Sequence, residues 1–173
     1  MTDLRFGIVG VGVMGSNHAR VLAELPGIEL VGIADADHAQ AARVSDALGC
    51  KAVSDHKSLL ALGLDAVIVA APTHLHHEVA LDCIEAGKHL LVEKPIAPTV
   101  AEGREIVAAA RRKGVKLMVG HVERFNPAVA AIKRAIAGED ILSIAIERVG
   151  PFPPRMSNVG VVIDLAVHDI DLI

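Results

Sequence analysis

Residues 6–22 read FGIVGVGVMGSNHARVL, an apolar strand that runs straight into Gly10, Gly12 and Gly15 and then into a helical pattern. This GxGxxG turn constrains the chain more than any other feature, because it joins a strand to a helix that packs back against it and so predicts a βαβ unit. Gly10 permits the tight turn, Gly12 lets a pyrophosphate approach the backbone, and Gly15 lets helix and strand pack closely. Val13 and Met14 complete the cofactor-facing loop, and the first helical N–H groups point at the anion. Asp35 falls 20 residues after Gly15, at the end of the second strand. A carboxylate there accepts hydrogen bonds from both ribose hydroxyls of an adenosine. A 2′-phosphate would meet like charge and lose charged hydrogen bonds worth about 1.5–3 kcal/mol each, so NAD is expected over NADP. The same residues admit a plainer reading, in which the glycines are turn punctuation and Asp35 caps a helix, with Asp37 the more ordinary cap beside it.

The strand-to-helix alternation continues down the chain, as a parallel sheet with crossover helices requires. Strands are expected over 4–9, 28–34, 51–53, 66–70, 89–92 and 116–119, and helices over 14–25, 39–48, 76–86 and 100–113. Pro26-Gly27, Gly49, Gly87 and Gly114 stand where successive helices should stop. The expected fold is α/β: a Rossmann-type doubly wound parallel sheet of order 3-2-1-4-5-6 over residues 1–122. Residues 123–173 read as the incomplete start of an α+β substrate domain, with a helix over 127–137, a strand over 141–149, a Pro-rich loop over 150–154 and a last helix over 161–173. A lone strand cannot bury its own faces, so this part is expected to borrow a partner or to be truncated.

With 173 residues, 52% of them hydrophobic, and a net charge of −4, the chain can build a substantial core. No basic stripe tracks a phosphate backbone, so no nucleic-acid partner is expected. The apolar runs 66–71 and 141–146 are far shorter than the roughly 20 residues of a membrane helix. The N-terminus shows no charged leader followed by an apolar segment, and a cytoplasmic location is expected. Cys50 and Cys83 form no CxxC pattern and are read as small buried hydrophobes without a chemical role.

Two stretches carry candidate chemistry. HLLVEKPIAP (89–98) ends an apolar strand abruptly on Glu93, Lys94 and Pro95. In open α/β sheets ligands lie beyond the carboxyl ends of the strands, so Lys94 is expected to project into that crevice, aimed by Pro95 and oriented or neutralised by Glu93. The alternative is a solvated surface ion pair. GVVIDLAVHDIDLI (160–173) places Asp164 and His168 one helical turn apart among apolar neighbours. Such an imidazole can accept a proton near neutral pH; it can equally be a core histidine bonded to Asp164 or Asp171, or part of a metal site with both. HLHH (74–77) suggests zinc, but only Glu78 accompanies it, and its position after AAPT fits a loop that passes the cofactor. No metal is expected.

Taken together, GVGVMG with Asp35, AAPTHLHHEVALDCIEAGKHLLVEKPIAPT, VGHVERFNP and DLAVHDID make the chain resemble, from Phe6 to Asp171, the glucose-fructose oxidoreductase and inositol dehydrogenase (Gfo/Idh/MocA) family. The resemblance implies a Rossmann domain that binds NAD or NADP and a second domain, built on a mostly antiparallel sheet, that holds a sugar or cyclitol. It implies Lys94 and His168 as the catalytic pair with Asp164 supporting the histidine. His168 would take the hydroxyl proton as hydride leaves the same carbon, with Lys94 the alternative base. Ala71, Thr73, His76, Glu93 and Lys94 would line the cofactor. GHVERFNPAV, VGPFPPR and GVVIDLAVHDID resemble the branch that oxidises the 3-hydroxyl of UDP-N-acetylglucosamine, with Arg124, Asn126 and Arg155 gripping the diphosphate or sugar. An inositol or free sugar is the alternative substrate, and a non-catalytic NAD-binding module the alternative class. Family members are longer, so the chain is expected to be truncated relative to them and homo-oligomeric when full length.

Overall fold

The computed structural model describes residues 3–147, 149 and 162–173, with the backbone alone at 163 and 164. The chain divides into two compact units, Met1–Gly120 and His121–Ile173.

The first unit is a doubly wound α/β sheet. Its elements run β1 (Leu4–Val9), α1 (Val13–Glu24), β2 (Ile28–Ala34), α2 (His38–Leu48), β3 (Lys51–Val53), α3 (His56–Leu60), β4 (Ala66–Val69), α4 (His76–Glu85), β5 (His89–Val92), α5 (Val100–Lys113) and β6 (Leu117–Val119). All strand pairs are parallel and the order is β3-β2-β1-β4-β5-β6, as the alternation predicts. Helix α3 is the addition. Five residues are too few to show a 3.6-residue period, but Asp55 at its N-cap accepts from the Ser58 amide at 2.7 Å.

Alternation along each strand sorts the core into two layers. Val9, Val67, Val69, Leu90 and Val92 face one cluster, with Leu59, Val79, Ile84 and Ile106 from α3, α4 and α5. Ile8, Ile33 and Ile68 face the other, against Ala19 and Leu22 of α1 and Ala41 of α2. Val67, Val69 and Val92 are fully buried, as strands covered on both faces must be. Each such side chain contributes about 1.5–3 kcal/mol of transfer free energy.

The register matters most for function. Val9 pairs with Ala34 and Val69, Ala34 with Val53, Val69 with Val92, and Val92 with Val119, so all six strands end on one line. One further rung forms beyond that line: Gly10 N donates to Ala34 O (2.8 Å), Ala70 N to Val9 O (2.8 Å), Glu93 N to Val69 O (2.9 Å) and Gly120 N to Val92 O (2.8 Å). Residues separated by most of the chain are thereby fixed side by side along the carboxyl edge.

The second unit contains a short 3₁₀ turn (Val122–Phe125), α6 (Pro127–Ala135), a π-helical stretch (Val162–Ala166) and α7 (Val167–Leu172). Asn126 N-caps α6 by accepting from Ala128 N at 3.0 Å, with Pro127 at the first helical position. Among the described residues of the expected strand over 141–149, residues 141–147 and 149 carry no strand pairing and are exposed. A strand needs a neighbour for its amide and carbonyl groups, and no other strand lies among the described residues of this unit. The expected last helix is α-helical only from Val167; before it the chain is π-helical. The Pro-rich loop 150–154 lies outside the described residues. No helix among the described residues is long and apolar enough to cross a membrane.

Cys83, at the centre of the first core layer, has no exposed surface, and burial pushes its thiol up to about 12. Since the thiolate is the reactive form, a disulfide reagent at neutral pH should leave Cys83 unmodified in the native chain and modify it in urea; rapid native modification would mean that α4 does not stay seated on the sheet.

Candidate functional site

The glycine turn is built as its spacing predicts, and its glycines differ in kind. Gly10 has φ +87°, and a Cβ there would meet the Ala70–Ala71 backbone at 2.6–2.7 Å; a Cβ on Gly15 would sit 1.8 Å from Gly10 O. Both are required by the protein itself. Gly12 is different: a Cβ there would find nothing within 4 Å, so only something outside the described chain needs that face clear. Gly12 is the N-cap of α1 with no side-chain capping bond, and no acidic residue stands in the first turn. The N–H groups and positive end of the helix dipole are left for an anion. Val13 and Met14 stand exposed at the same turn.

Asp35 is not a helix cap. Its Oδ2 accepts from Val11 N (2.6 Å) and its Oδ1 from Asp37 N (2.8 Å), while Asp37 caps α2 through Gln40 N (3.0 Å). The Val11 carbonyl accepts from Ser16 Oγ (2.8 Å) and Gln40 Nε2 (3.0 Å). The glycine loop is thus tied to β2 and α2 before any ligand arrives. Each Asp35 oxygen has lone-pair capacity left for a hydroxyl donor. Beside it opens a cavity of about 320 Å³ lined by Gly10, Asp35, Ser54, His56, Ala71, Pro72, Leu75 and Glu78 among others. Short helix α3, invisible in the sequence pattern, supplies one wall.

The histidines of the 74–77 run diverge. His76 is 1% exposed, its Nε2 bonded to Ala71 O (2.8 Å) and its Nδ1 to Pro95 O (2.9 Å). His77 pairs with Glu105 at 2.8 Å, and His74 is exposed. His76, expected to line the cofactor, is buried behind the Ala71 loop, while Thr73 stands half-buried in a 3₁₀ turn, Thr73–Leu75. Among the described residues, His56, Glu78 and Asp82 bring three ligand atoms within 4.8 Å, but Asp82 already holds His56 Nε2 (2.8 Å) and Lys57 Nζ (3.7 Å).

Lys94 stands half-buried in the turn after β5, followed by a cis peptide to Pro95. Glu93 points inward: it is 6% exposed, accepts from Lys94 N (3.1 Å), and meets His18 Nε2 at 2.7 Å. Burial raises the Glu93 carboxyl, but the His18 hydrogen bond, the Lys94 amide and the charges of both residues outweigh it and hold the group below its ordinary 4.5. His18 escaped the sequence reading because its partner lies 75 residues away. The available signal was its place on the stripe of α1 that buries Gly15, Ala19 and Leu22, where a polar side chain requires a partner.

In the second unit, His168 is half-buried on α7, and Asp164 lies in the π-helical stretch with its side chain outside the described set. Arg124 and Asn126 have partners of their own. Arg124 donates its fork to Asp171, Nε to Oδ2 (2.8 Å) and Nη2 to Oδ1 (2.6 Å), and Asn126 caps α6 and donates to Glu123 (3.0 Å). The Arg124 hydrogen bond, working against burial, holds Asp171 below the ordinary carboxylate range, with the His121, Arg124 and Lys133 charges adding to it. Asp171 is thus engaged by Arg124. Arg155 lies outside the described residues.

A family model described as an oxidoreductase family with an NAD-binding Rossmann fold, Gfo/Idh/MocA, matches residues 4–121. The UDP-N-acetylglucosamine 3-dehydrogenase of Acidithiobacillus ferrooxidans is 35% identical over 172 residues, which is 99% of this chain and 54% of that protein. Its solved structure superposes with a TM-score of 0.87, covering 99% of this chain and 56% of the other. Inositol 2-dehydrogenase 1 of Saccharopolyspora erythraea is 36% identical over 183 residues, covering 98% and 53%. GenD2 from gentamicin A biosynthesis, solved in complex with NAD, is 26% identical with a TM-score of 0.86, covering 99% and 53%. The chain spans about half the length of the curated relatives it matches.

Gly12→Ala should lower the unfolding free energy by no more than about 1 kcal/mol, the cost of alanine at an N-cap, since no neighbour is touched, yet abolish NADH binding. Gly15→Ala should lose about 1–3 kcal/mol or more through its backbone clash. Normal NADH affinity in Gly12→Ala would show that no pyrophosphate crosses that face. For Glu93, a depressed folded value means stability that is complete above the unfolded carboxylate range and lost as pH falls through the folded value. Between neutral pH and about pH 3, wild type should therefore lose more stability than Glu93→Gln; parallel urea-midpoint curves would contradict the ionised assignment.

Proposed function

The chain belongs to the Gfo/Idh/MocA oxidoreductase family, and on that premise we propose that it binds NAD and takes part in oxidising a sugar hydroxyl by hydride transfer, with the 3-hydroxyl of a UDP-N-acetylhexosamine as substrate. One observation carries the cofactor assignment: an Asp35 carboxylate fixed by two backbone amides beside an α1 N-terminus whose Gly12 face is clear. The donor set fits NAD, with the α1 N–H groups for the pyrophosphate and Asp35 for the adenosine ribose. Asp35 also opposes a 2′-phosphate through like charge.

NAD, when bound, supplies the hydride acceptor. The chain's own residues have three tasks. The loop Gly10–Gly12 and Asp35 seat the dinucleotide. Lys94 orients the substrate hydroxyl and stabilises negative charge developing on its oxygen. An imidazole nitrogen of His168 takes the hydroxyl proton, with Asp164 supporting the ring. The likeness to the Acidithiobacillus ferrooxidans enzyme supports a sugar nucleotide, while similar identity to inositol 2-dehydrogenases keeps a cyclitol as the second reading. The free thiols of Cys50 and Cys83 support a reducing, cytoplasmic setting.

Titration of the chain with NADH and NADPH, followed by cofactor fluorescence, should give saturable binding with NADH preferred. NAD⁺ reduction assayed with UDP-N-acetylglucosamine, inositols and hexoses then ranks the substrates, and Lys94→Ala should abolish any turnover while leaving NADH affinity within a few fold. Equal affinity for NADPH would remove Asp35 from the ribose. Turnover that survives in Lys94→Ala would remove Lys94 from the chemistry.

A further inference from the structure

Lys94 sits between two residues that are each held by a histidine from a different helix. On its N-terminal side, Glu93 meets His18 Nε2 of α1 at 2.7 Å, the two side chains being 7% and 18% exposed. On its C-terminal side, Pro95 O is bonded to Nδ1 of fully buried His76, the first residue of α4, at 2.9 Å. The other nitrogen of His76 reaches Ala71 O at 2.8 Å, so one ring joins the loop after β4 to the turn after β5. Carbonyl oxygens only accept, so a ring nitrogen that carries hydrogen donates to its loop, and the ring as a whole is held between the two carbonyls. A third contact closes the Glu93 side: a Cβ on Gly120 would come within 3.0 Å of Cδ, Oε1 and Oε2 of Glu93, so the carboxylate fills the space that Gly120 leaves. The two helices that supply the histidines are the ones that follow the glycine loop and the Ala71 loop, both of which line or border the cofactor cavity.

We propose that His18 and His76 are positioning residues for Lys94, bracing its turn from both sides and linking its position to the two loops that seat the cofactor. This rests on the reading of Lys94 as the catalytic lysine. Neither histidine needs to touch substrate or nicotinamide; each acts through the residue beside Lys94.

The two ring nitrogens of His76 can be separated by substitution. An asparagine amide replaces Nδ1 and keeps a donor to Pro95; a glutamine amide replaces Nε2 and keeps a donor to Ala71. For His18, glutamine keeps the donor to Glu93 and leucine removes it. Lysine reactivity is measured on the purified chain with a limiting amine-acylating reagent, with and without NADH, by peptide mass spectrometry with exposed Lys51 and Lys57 as internal references. His18→Leu and His76→Gln should change Lys94 modification severalfold and weaken its protection by NADH, while His18→Gln and His76→Asn stay close to wild type. Gly120→Ala, which crowds Glu93 without altering either histidine, should act like His18→Leu and serves in its place if that variant does not fold. Unchanged Lys94 reactivity in folded His18→Leu or Gly120→Ala and in His76→Gln overturns the brace. So does a pattern in which glutamine and asparagine at position 76 behave alike. Absence of NADH protection in wild type would count against the cofactor reading instead, and the comparison without NADH still decides the brace.

Discussion

The common line on which the six strands end is the constraint from which the candidate site follows. Hydrogen bonds between parallel strands fix Val9, Ala34, Val69, Val92 and Val119 side by side, and the extra rung fixes Gly10, Ala70, Glu93 and Gly120 just beyond them. A slip of one residue in any pair would exchange the side chains that strand gives to the two core layers, so the register is held by how the valines and isoleucines pack on each face. The loop residues inherit that precision without needing strong interactions of their own.

Two carboxylates then organise the edge in different ways. Asp35 is held by backbone amides and remains half-buried, with capacity for a ligand's hydroxyls. Glu93 is turned into the protein, paired with His18 and closed in by Gly120. The same residue type at two strand ends is a ligand acceptor in one place and an internal fixture in the other. What differs is whether a hydrogen-bonding side chain from a neighbouring helix lies within reach. In the second unit the pairing of Arg124 with Asp171 and the capping by Asn126 likewise give local work to side chains that the family resemblance implies for the substrate.

Legibility in the sequence followed the range of the interaction. The strands over 4–9, 28–34, 51–53 and 89–92 and the helix over 100–113 have the ends expected from their apolar runs and glycine stops, because strand alternation and helix capping are local. The Thr99–Glu102 capping box and the left-handed Gly49 and Gly114 are readable within a few residues. Helix α3 is too short to show a period, and the strand expected over 141–149 has an alternating pattern that is local, whereas the pairing partner it needs is not. Asn126 followed by Pro127 is a cap signal readable within two residues, and the side chain that the resemblance implies for the substrate also caps α6.

By itself the sequence determined the doubly wound α/β fold, the strand order, the glycine loop and the place of Asp35 at the end of β2, since each follows from spacing along one strand–turn–helix unit. Only the tertiary structure decided which polar groups meet: His18 with Glu93, His76 with both Ala71 and Pro95, Arg124 with Asp171. His18 and Glu93, 75 residues apart, and His76 and Pro95, 19 apart, meet because parallel crossovers bring separate strand ends to one edge, while Arg124 and Asp171, 47 apart, meet within the second unit; no local pattern encodes either juxtaposition.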